Sequence, residues 1–228
     1  MRLRPVVDGS AIVALTLLLG WVLSLATTRV ANWFVMTDEL YYERLAISVA
    51  QTGSLLPRLH GEIVGNVNQL YPVLLSFLYG DGDVPASFAA AHRLNAFVMV
   101  SAAIPVYLLA RYAGAGRLLG LWAGGLAVAV PWIVLSSFLL TEVVAYPAFC
   151  WALLALCWAT GRKRDASDAL ALAAVAVAVL ARVQFVVLGL VLALAVVAEA
   201  VLAAAAAGRR GRDLFPDAAR SLLRTRRF

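Results

Sequence analysis

Five polar side chains beside apolar stretches of the chain are of types that take part in group transfer. Asp38 and Glu39 are adjacent in "TDELYY", Glu142 follows an apolar run, and Arg182 and Gln184 interrupt another in "LARVQF". Carboxylates can act as general acids or bases, and a guanidinium group matches the geometry of a phosphate. These residues are the first candidates for an active site, provided that the fold brings them together.

The three acids also have simpler interpretations. Asp38 and Glu39 fall in the first turn of a predicted helix, where a negative charge stabilises the helix dipole by about 0.3–1 kcal/mol. Glu142 lies next to an apolar segment. It is either an acid that faces water at the membrane surface, or a second acid that orients an acceptor or tunes a base by like-charge coupling. Residue type alone leaves both interpretations open.

The other candidates would bind substrate. Arg182 is either a structural arginine, ion-paired or extended toward the membrane surface, or a clamp for the phosphate of a donor that stabilises the leaving group. Gln184 is a weaker candidate for the same role. Tyr41 and Tyr42 are typical of the aromatic belt at a membrane interface, and stacking on a sugar ring is the alternative.

The composition predicts a membrane protein. Of 228 residues, 63% are hydrophobic and only 14% are charged, whereas about a quarter of the residues in soluble domains are charged. A soluble core could not bury this much apolar surface, so the solvent must be lipid. The net charge of +6 comes from basic groups next to apolar segments. This is the positive-inside pattern rather than a nucleic-acid-binding surface, and a basic tail can also contact anionic membrane lipids.

The apolar segments predict an all-α, polytopic transmembrane bundle of about six spans. We expect spans at residues 11–30, 94–110, 118–140, 143–159, 169–181 and 185–207, with an outer loop at 31–93 and a basic cytoplasmic tail at 208–228. The apolar stretch 169–207 is too long for one ordinary crossing of about 20 residues. One crossing would also leave Arg182 near the bilayer centre. Inserting an arginine there costs about 2.5–3.5 kcal/mol of free energy. A turn at "ARVQF" avoids both problems.

This topology collects the candidate residues on one side of the membrane. Both termini and the basic loop "GRKRDASD" stay in the cytoplasm, as the positive-inside rule requires for an inner or plasma membrane protein. The acids at 38, 39 and 142 and the "ARVQF" turn then all face outward. Their common sidedness is the main argument for a single site.

Two helices are predicted within the outer loop. "TDELYYERLAISVAQTG" has Thr37 as a potential cap and Gly53 as a stop signal. Its apolar residues recur at helical spacing, which predicts that one face lies on the membrane surface. "LYPVLLSFLYG" is too short to span a bilayer, and we expect an interfacial or re-entrant helix that Pro72 begins and Gly80 ends.

Four features in this order carry a family resemblance. The acidic pair "TDELYY" follows the first span and precedes the surface helices, "HRLNAFVMVSAAIPVYLLAR" is the second span, "PWIVLSSFLLTEVVAYP" places an acid after the third, and "LARVQF" places an arginine at the next outer turn. Over nearly its whole length the chain resembles the amino-terminal half of a GT-C fold glycosyltransferase. Such membrane enzymes, of the protein mannosyltransferase and aminoarabinose transferase type, use a polyprenyl-phosphate-linked sugar.

The resemblance implies a general base in the first outer loop, for which Asp38 is favoured over Glu39, and direct transfer of the sugar from the lipid phosphate with inversion. The implied partners are a polyprenyl-phosphate-sugar donor and membrane lipids. The family continues through further spans. We therefore expect this chain to be an amino-terminal half, or to be completed by a partner chain that supplies the missing spans.

Two other functions are consistent with the sequence. A non-catalytic scaffold or lipid-binding subunit fits the short length. A transporter subunit is disfavoured because no inverted repeat is evident and no charge falls at the centre of a predicted span. The isolated His60 and His92 form no zinc pattern, and no glycine-rich phosphate loop occurs. The sequence therefore leaves both the cofactor and any dependence on a divalent metal undetermined.

Overall fold

The computed structural model describes residues 5–29, 36–65, 68–80, 82–129, 131–162 and 165–206. The elements in chain order are α1 (Pro5–Thr27), α2 (Thr37–Thr52), β1 (Arg58–Leu59), β2 (Glu62–Ile63), α3 (Leu70–Ser76), α4 (Val84–Val100), α5 (Ala103–Tyr112), α6 (Arg117–Ala129), a 3₁₀ helix (Pro131–Ser137), α7 (Glu142–Arg162), α8 (Asp165–Ala181), a second 3₁₀ helix (Val183–Val186) and α9 (Val187–Ala206). The predicted basic tail 208–228 lies outside the described residues.

The fold is a helical bundle, as the composition predicts. Within the described ranges, four helical stretches are long and apolar enough to cross a membrane. They are Gly9–Thr27, Val84–Tyr112, Glu142–Gly161 and Val183–Ala206. Helix α6 is apolar but shorter, and α8 has 17 residues. The number of six spans stays a prediction.

The second apolar helix begins ten residues earlier than predicted. Asp83 caps it, because its carboxylate accepts a hydrogen bond from the amide of Ala86 (3.1 Å), and Pro85 occupies the first turn, where a missing N–H is harmless. The helix is interrupted at residues 101 and 102, between α4 and α5. Pro105 explains the interruption, since its nitrogen has no hydrogen to donate to the carbonyl of Ser101.

The predicted third span, 118–140, is not one helix. Helix α6 ends at Ala129, and the chain continues from Pro131 as a 3₁₀ helix and then as an irregular segment to Thr141. A proline in a helix interior removes a hydrogen bond and collides with the preceding turn. The backbone between α6 and α7 is therefore not α-helical, and its polar groups need partners from other parts of the chain.

The long apolar stretch near the carboxyl terminus breaks where the sequence predicts a turn. Helix α8 ends at Ala181, Arg182 is extended (φ −157°, ψ 118°), and the second 3₁₀ helix leads into α9. The amide of Arg182 still donates to the carbonyl of Ala178 (2.8 Å). The break therefore presents the Arg182 side chain at one end of two packed helices rather than in the middle of one helix.

Helix α2 ends at Gly53 as predicted, where a left-handed conformation (φ 64°) suits glycine. Thr37 is its first residue rather than its cap. Part of the apolar face expected on the membrane surface is instead buried in the protein, whereas Leu40 is exposed. Leu45 and Ala46 lie in a cluster with Tyr71 and other residues of α3, α4 and α7. Helix α2 therefore packs on the bundle through this face.

Helices α5 and α6 pack so closely that side chains are excluded at their contact. A β-carbon at Gly124 would lie 2.8 Å from the carbonyl oxygen of Ala103 and 3.2 Å from Ile12. Gly120, one turn earlier, faces the ring of Tyr107 in the same way, at 3.1 Å. Small residues four apart allow helices to approach in membranes. Gly124 thus positions α6, and through it the irregular segment that follows.

We expect Gly124→Ala to destabilise the protein and Gly125→Ala, its neighbour in sequence, to leave it unharmed. The first substitution pushes a methyl group into backbone, and overpacking of this kind typically costs about 1–3 kcal/mol. A β-carbon at Gly125 would meet nothing within 4 Å. Thermal unfolding of the detergent-solubilised variants, followed by tryptophan fluorescence, checks this. Equal unfolding temperatures for the two variants would contradict the packing.

Candidate functional site

Glu39 holds the irregular segment between α6 and α7 in place. One carboxylate oxygen accepts a hydrogen bond from the amide of Leu139 (3.1 Å) and the other from the amide of Met36 (3.0 Å). Its side chain is only 2% exposed. The first of these bonds supplies a partner for buried backbone outside a helix, and the second caps α2. This geometry gives Glu39 a structural role, whereas Asp38 is exposed.

Helix α4 contributes two more side chains to the same segment. The amide nitrogen of Asn95 donates to the carbonyl of Phe138 (2.9 Å), and its oxygen accepts from the hydroxyl of Tyr71 (3.1 Å). The Nδ1 atom of His92 lies 3.5 Å from the carbonyl of Ser136. Asn95 and His92 are both buried. Together with Glu39 they hold the segment against α2, α3 and α4.

This attachment brings the start of α7 next to α2. The side chain of Thr141 lies close to the phenol of Tyr42. Burial raises the pKa of Tyr42, the side chain of Thr141 opposes that shift, and the carboxylates of Asp38 and Glu142 raise it further. Two acids that are 104 positions apart in sequence therefore act electrostatically on the same phenol.

Arg182 completes the arrangement through an ion pair with Glu142. Its Nη1 atom donates to Oε1 of Glu142, while Oε2 accepts from the hydroxyl of Thr141 (3.3 Å). The two charged side chains are 35% and 32% exposed, so water reaches the pair. A guanidinium has five N–H donors, and one carboxylate does not occupy them all.

The turn that carries Arg182 is held by the loop that precedes α3. The side-chain oxygen of Asn68 accepts a hydrogen bond from the amide of Val183 (2.9 Å). This contact ties the loop before α3 to the break between α8 and α9. Asn68 is not among the sequence candidates, because one asparagine in a polar loop carries no signal of a partner 115 positions away.

A cavity of about 240 Å³ opens beside the ion pair. Glu142 and Arg182 contribute its charged part, and the remaining lining is apolar or aromatic. Those lining residues are Leu135, Ala145, Tyr146, Phe149 and Phe185. The site therefore combines an apolar pocket with a cation, a carboxylate and, near Tyr42, a second and exposed carboxylate.

The remaining candidates occupy the edges of this site. Gln184 is exposed in the turn after Arg182. Tyr41 is half-buried, with its ring edge-to-face on Tyr42 (centroids 5.4 Å apart), and it lines a separate groove on the other side of α2. Within the described ranges, no cluster of three or more His, Cys, Asp or Glu side chains is arranged to hold a metal ion.

Glu43 is a buried acid that residue type alone did not single out. It lies one turn after Glu39, on the same face of α2, and is 3% exposed. Burial raises its pKa, and the charge of Arg44 opposes the shift. One of its carboxylate oxygens has no hydrogen-bond partner among the described residues. The i, i+4 spacing of Glu39 and Glu43 was the available signal that both face the interior.

Comparison with protein-family models, with characterised proteins and with solved structures found no match for this chain.

We expect Glu39→Gln to destabilise the protein and Asp38→Asn to have a small effect. The glutamine amide keeps only one acceptor oxygen, so one of the two backbone N–H groups loses its partner. Leaving a buried donor without a partner costs about 1–3 kcal/mol of stability. Both substitutions remove one negative charge from the first turn of α2, so the difference between them isolates the buried hydrogen bond. Thermal unfolding in detergent measures it, and equal losses would mean that the Leu139 contact is unimportant.

We expect Glu43→Gln to stabilise the protein at neutral pH but not in acid. The folded-state pKa of Glu43 is raised, so its stabilising contribution is present below its unfolded pKa of about 4.3 and is lost as the pH rises through the folded pKa. The neutral glutamine does not ionise. The gain in unfolding temperature should be clear near about pH 8 and vanish toward about pH 4. The exposed control Glu62→Gln should show no such trend, and a pH-independent gain for Glu43→Gln would contradict the argument.

Proposed function

We propose that the chain is an integral membrane glycosyltransferase, or the amino-terminal half of one. It transfers a sugar from a polyprenyl-phosphate-linked donor to a hydroxyl group of an acceptor on the outer face of the membrane. The observation that carries this proposal is the ion pair of Glu142 and Arg182 in the wall of a largely apolar cavity, with the carboxylate of Asp38 acting on the same tyrosine, Tyr42, as Glu142 does. A lipid-linked phosphate needs both an apolar surface and a cation.

Arg182 is the proposed partner of the donor phosphate. Its guanidinium stands where the apolar lining of the cavity meets water, so a prenyl chain in the pocket would leave its phosphate beside the cation. A guanidinium binds phosphate oxygens through two parallel N–H donors. Glu142 orients Arg182 and supplies its counter-charge near the membrane, where an unpaired cation is costly.

Asp38 is the proposed general base. It is the exposed carboxylate of the acidic pair, whereas both oxygens of Glu39 are occupied by backbone amides. The acceptor oxygen forms a bond to the anomeric carbon of the sugar while the bond from that carbon to the phosphate oxygen breaks. The proton of the hydroxyl passes to Asp38, and polyprenyl phosphate leaves as an anion held by Arg182. Attack from the side opposite the phosphate inverts the anomeric configuration.

The proposed topology has six spans and cytoplasmic termini. The hydrogen bond between Asn68 and Val183 supports it, because it joins the loop that follows the first span to the turn between α8 and α9. Both segments must then lie on the same side of the bilayer. The positive-inside pattern of the basic loop near Arg162 supports the outer placement of that side.

A non-catalytic, lipid-binding subunit is the second candidate. The ion pair and the apolar cavity favour it, since a cation beside an apolar surface can bind a lipid phosphate without any chemistry. The two candidates share a lipid-phosphate site and differ only in chemistry at Asp38. Transfer and lipid binding must therefore be measured separately.

We expect Asp38→Asn to reduce sugar transfer by at least about 100-fold, the contribution of a general base, while binding of a polyprenyl phosphate is retained. Arg182→Ala should lower that binding. Native mass spectrometry of the full chain with added polyprenyl phosphate measures binding, and membranes supplied with radiolabelled polyprenyl-phosphate sugar measure transfer. Glu62→Gln and Arg29→Ala are exposed, charge-matched controls.

The combined outcomes separate the two candidates. Transfer that survives Asp38→Asn would remove the general base from the mechanism. Lipid binding through Arg182 without any transfer would point to the lipid-binding subunit. Binding that is unchanged in Arg182→Ala would contradict both.

A further inference from the structure

A groove of about 700 Å³ lies on the opposite side of α2 from the ion pair, between this helix and the small hairpin formed by β1 and β2. Two arginines, Arg44 and Arg58, and one histidine, His60, line it, and both arginines are exposed. Tyr41 and Leu59 give it apolar walls. The described residues that line the groove include no acid, so the formally charged side chains of its lining are both cationic.

The groove follows one stripe of α2. Thr37, Tyr41, Arg44, Ser48 and Gln51 line it at helical spacings of three and four. From Thr37 to Gln51 the helix rises by fourteen steps, or about 21 Å, so the groove is long enough for an extended ligand. Its first residue is the immediate neighbour of Asp38. One end of the groove therefore lies at the same end of α2 as the proposed general base, which projects from a neighbouring face of the helix.

The far wall of the groove is fixed in position. The hydroxyl oxygen of Ser48 accepts a hydrogen bond from the amide of Arg58 (2.8 Å), which joins the hairpin to α2. The two-residue turn has positive φ at both positions, 53° at His60 and 88° at Gly61. Such turns favour Asn-Gly or Gly-Gly, so a histidine here is an uncommon choice. The turn holds the imidazole ring over the groove.

The cations of the groove are available to a ligand. Arg44 makes no hydrogen bond or ion pair with the described part of the chain. The guanidinium of Arg58 makes one long hydrogen bond, 3.4 Å, to the carbonyl of Gly61. Exposed arginines on a rigid wall, beside an aromatic ring and hydrogen-bonding side chains such as Gln51, match the chemistry of an anionic sugar.

We propose that this groove binds a phosphate-bearing saccharide, which is the acceptor of the transfer. Arg44 and Arg58 hold the anionic group, and the chain of sugar hydroxyls runs along α2 toward Asp38. The identity of the ligand as acceptor rests on the proposed function, whereas binding of an anionic saccharide by the groove does not. Anionic lipid headgroups present the same phosphate chemistry and are the alternative occupant.

The test uses the full chain in nonionic detergent, without any lipid-linked donor. Isothermal titration with a phosphorylated mannopentaose and with unphosphorylated mannopentaose measures the preference for the anion. We expect the phosphorylated ligand to bind at least tenfold more tightly, with a preference that weakens as salt is added. The double variant Arg44→Gln/Arg58→Gln should lose this preference, and Arg29→Gln, a matched exposed arginine, should keep it.

Other outcomes overturn the proposal. Equal affinity for the two saccharides, or a preference that persists in the double variant, means that the groove does not recognise an anionic sugar. Native mass spectrometry measures whether an anionic lipid, rather than a saccharide, occupies the groove. If the double variant loses bound phosphatidylglycerol and the parent shows no saccharide preference, the groove is a headgroup site. Failure here is distinct from failure of the proposed function, because binding is measured with Asp38 and Arg182 intact and with no transfer.

Discussion

Backbone that leaves a helix at membrane depth must find hydrogen-bond partners elsewhere in the protein, since lipid offers none. Buried backbone outside an α-helix has the same need within a protein, and the segment that begins at Pro131 between α6 and α7 is of this kind. Glu39 binds the amide of Leu139, and Asn95 binds the carbonyl of Phe138. These two contacts hold the segment against α2 and α4. The arrangement of the candidate site follows from them.

Because Glu39 is used in this way, the adjacent acids of α2 have different environments. Successive helix positions point about 100° apart, so anchoring Glu39 in the interior leaves Asp38 in water. The same anchoring brings Thr141 against the hydroxyl of Tyr42. Adjacent residues of one type thus acquire distinct roles, one structural and one open to a ligand.

The ion pair between Glu142 and Arg182 is the second constraint. Two charges that are about one-third exposed gain little from pairing in water, about 0–1 kcal/mol, but pairing keeps a guanidinium acceptable beside an apolar cavity. The break between α8 and α9 and the Asn68 contact fix where that guanidinium stands. The main effect of the pair is therefore to position a cation beside the cavity, and its contribution to stability is small.

The sequence by itself determined the membrane character, the end of α2 at Gly53, the break at Arg182 and the set of candidate side chains. Each of these depends on composition or on local signals, such as a glycine stop or a charge within an apolar run. The sequence placed Pro85 near the start of a helix, as the structure has it, but the predicted span at 94–110 omits the first ten residues of α4. In that part, the polar side chain of His92 is buried through tertiary packing.

Only the tertiary structure decided which acid is buried, which tyrosine contacts Thr141, and that Glu142 pairs with Arg182. Glu39 and Leu139 are 100 positions apart, and a hydrogen bond over that separation depends on how four helices pack. Helical periodicity specifies the face on which a residue lies, whereas the partner of that face is set by the packing of the whole bundle.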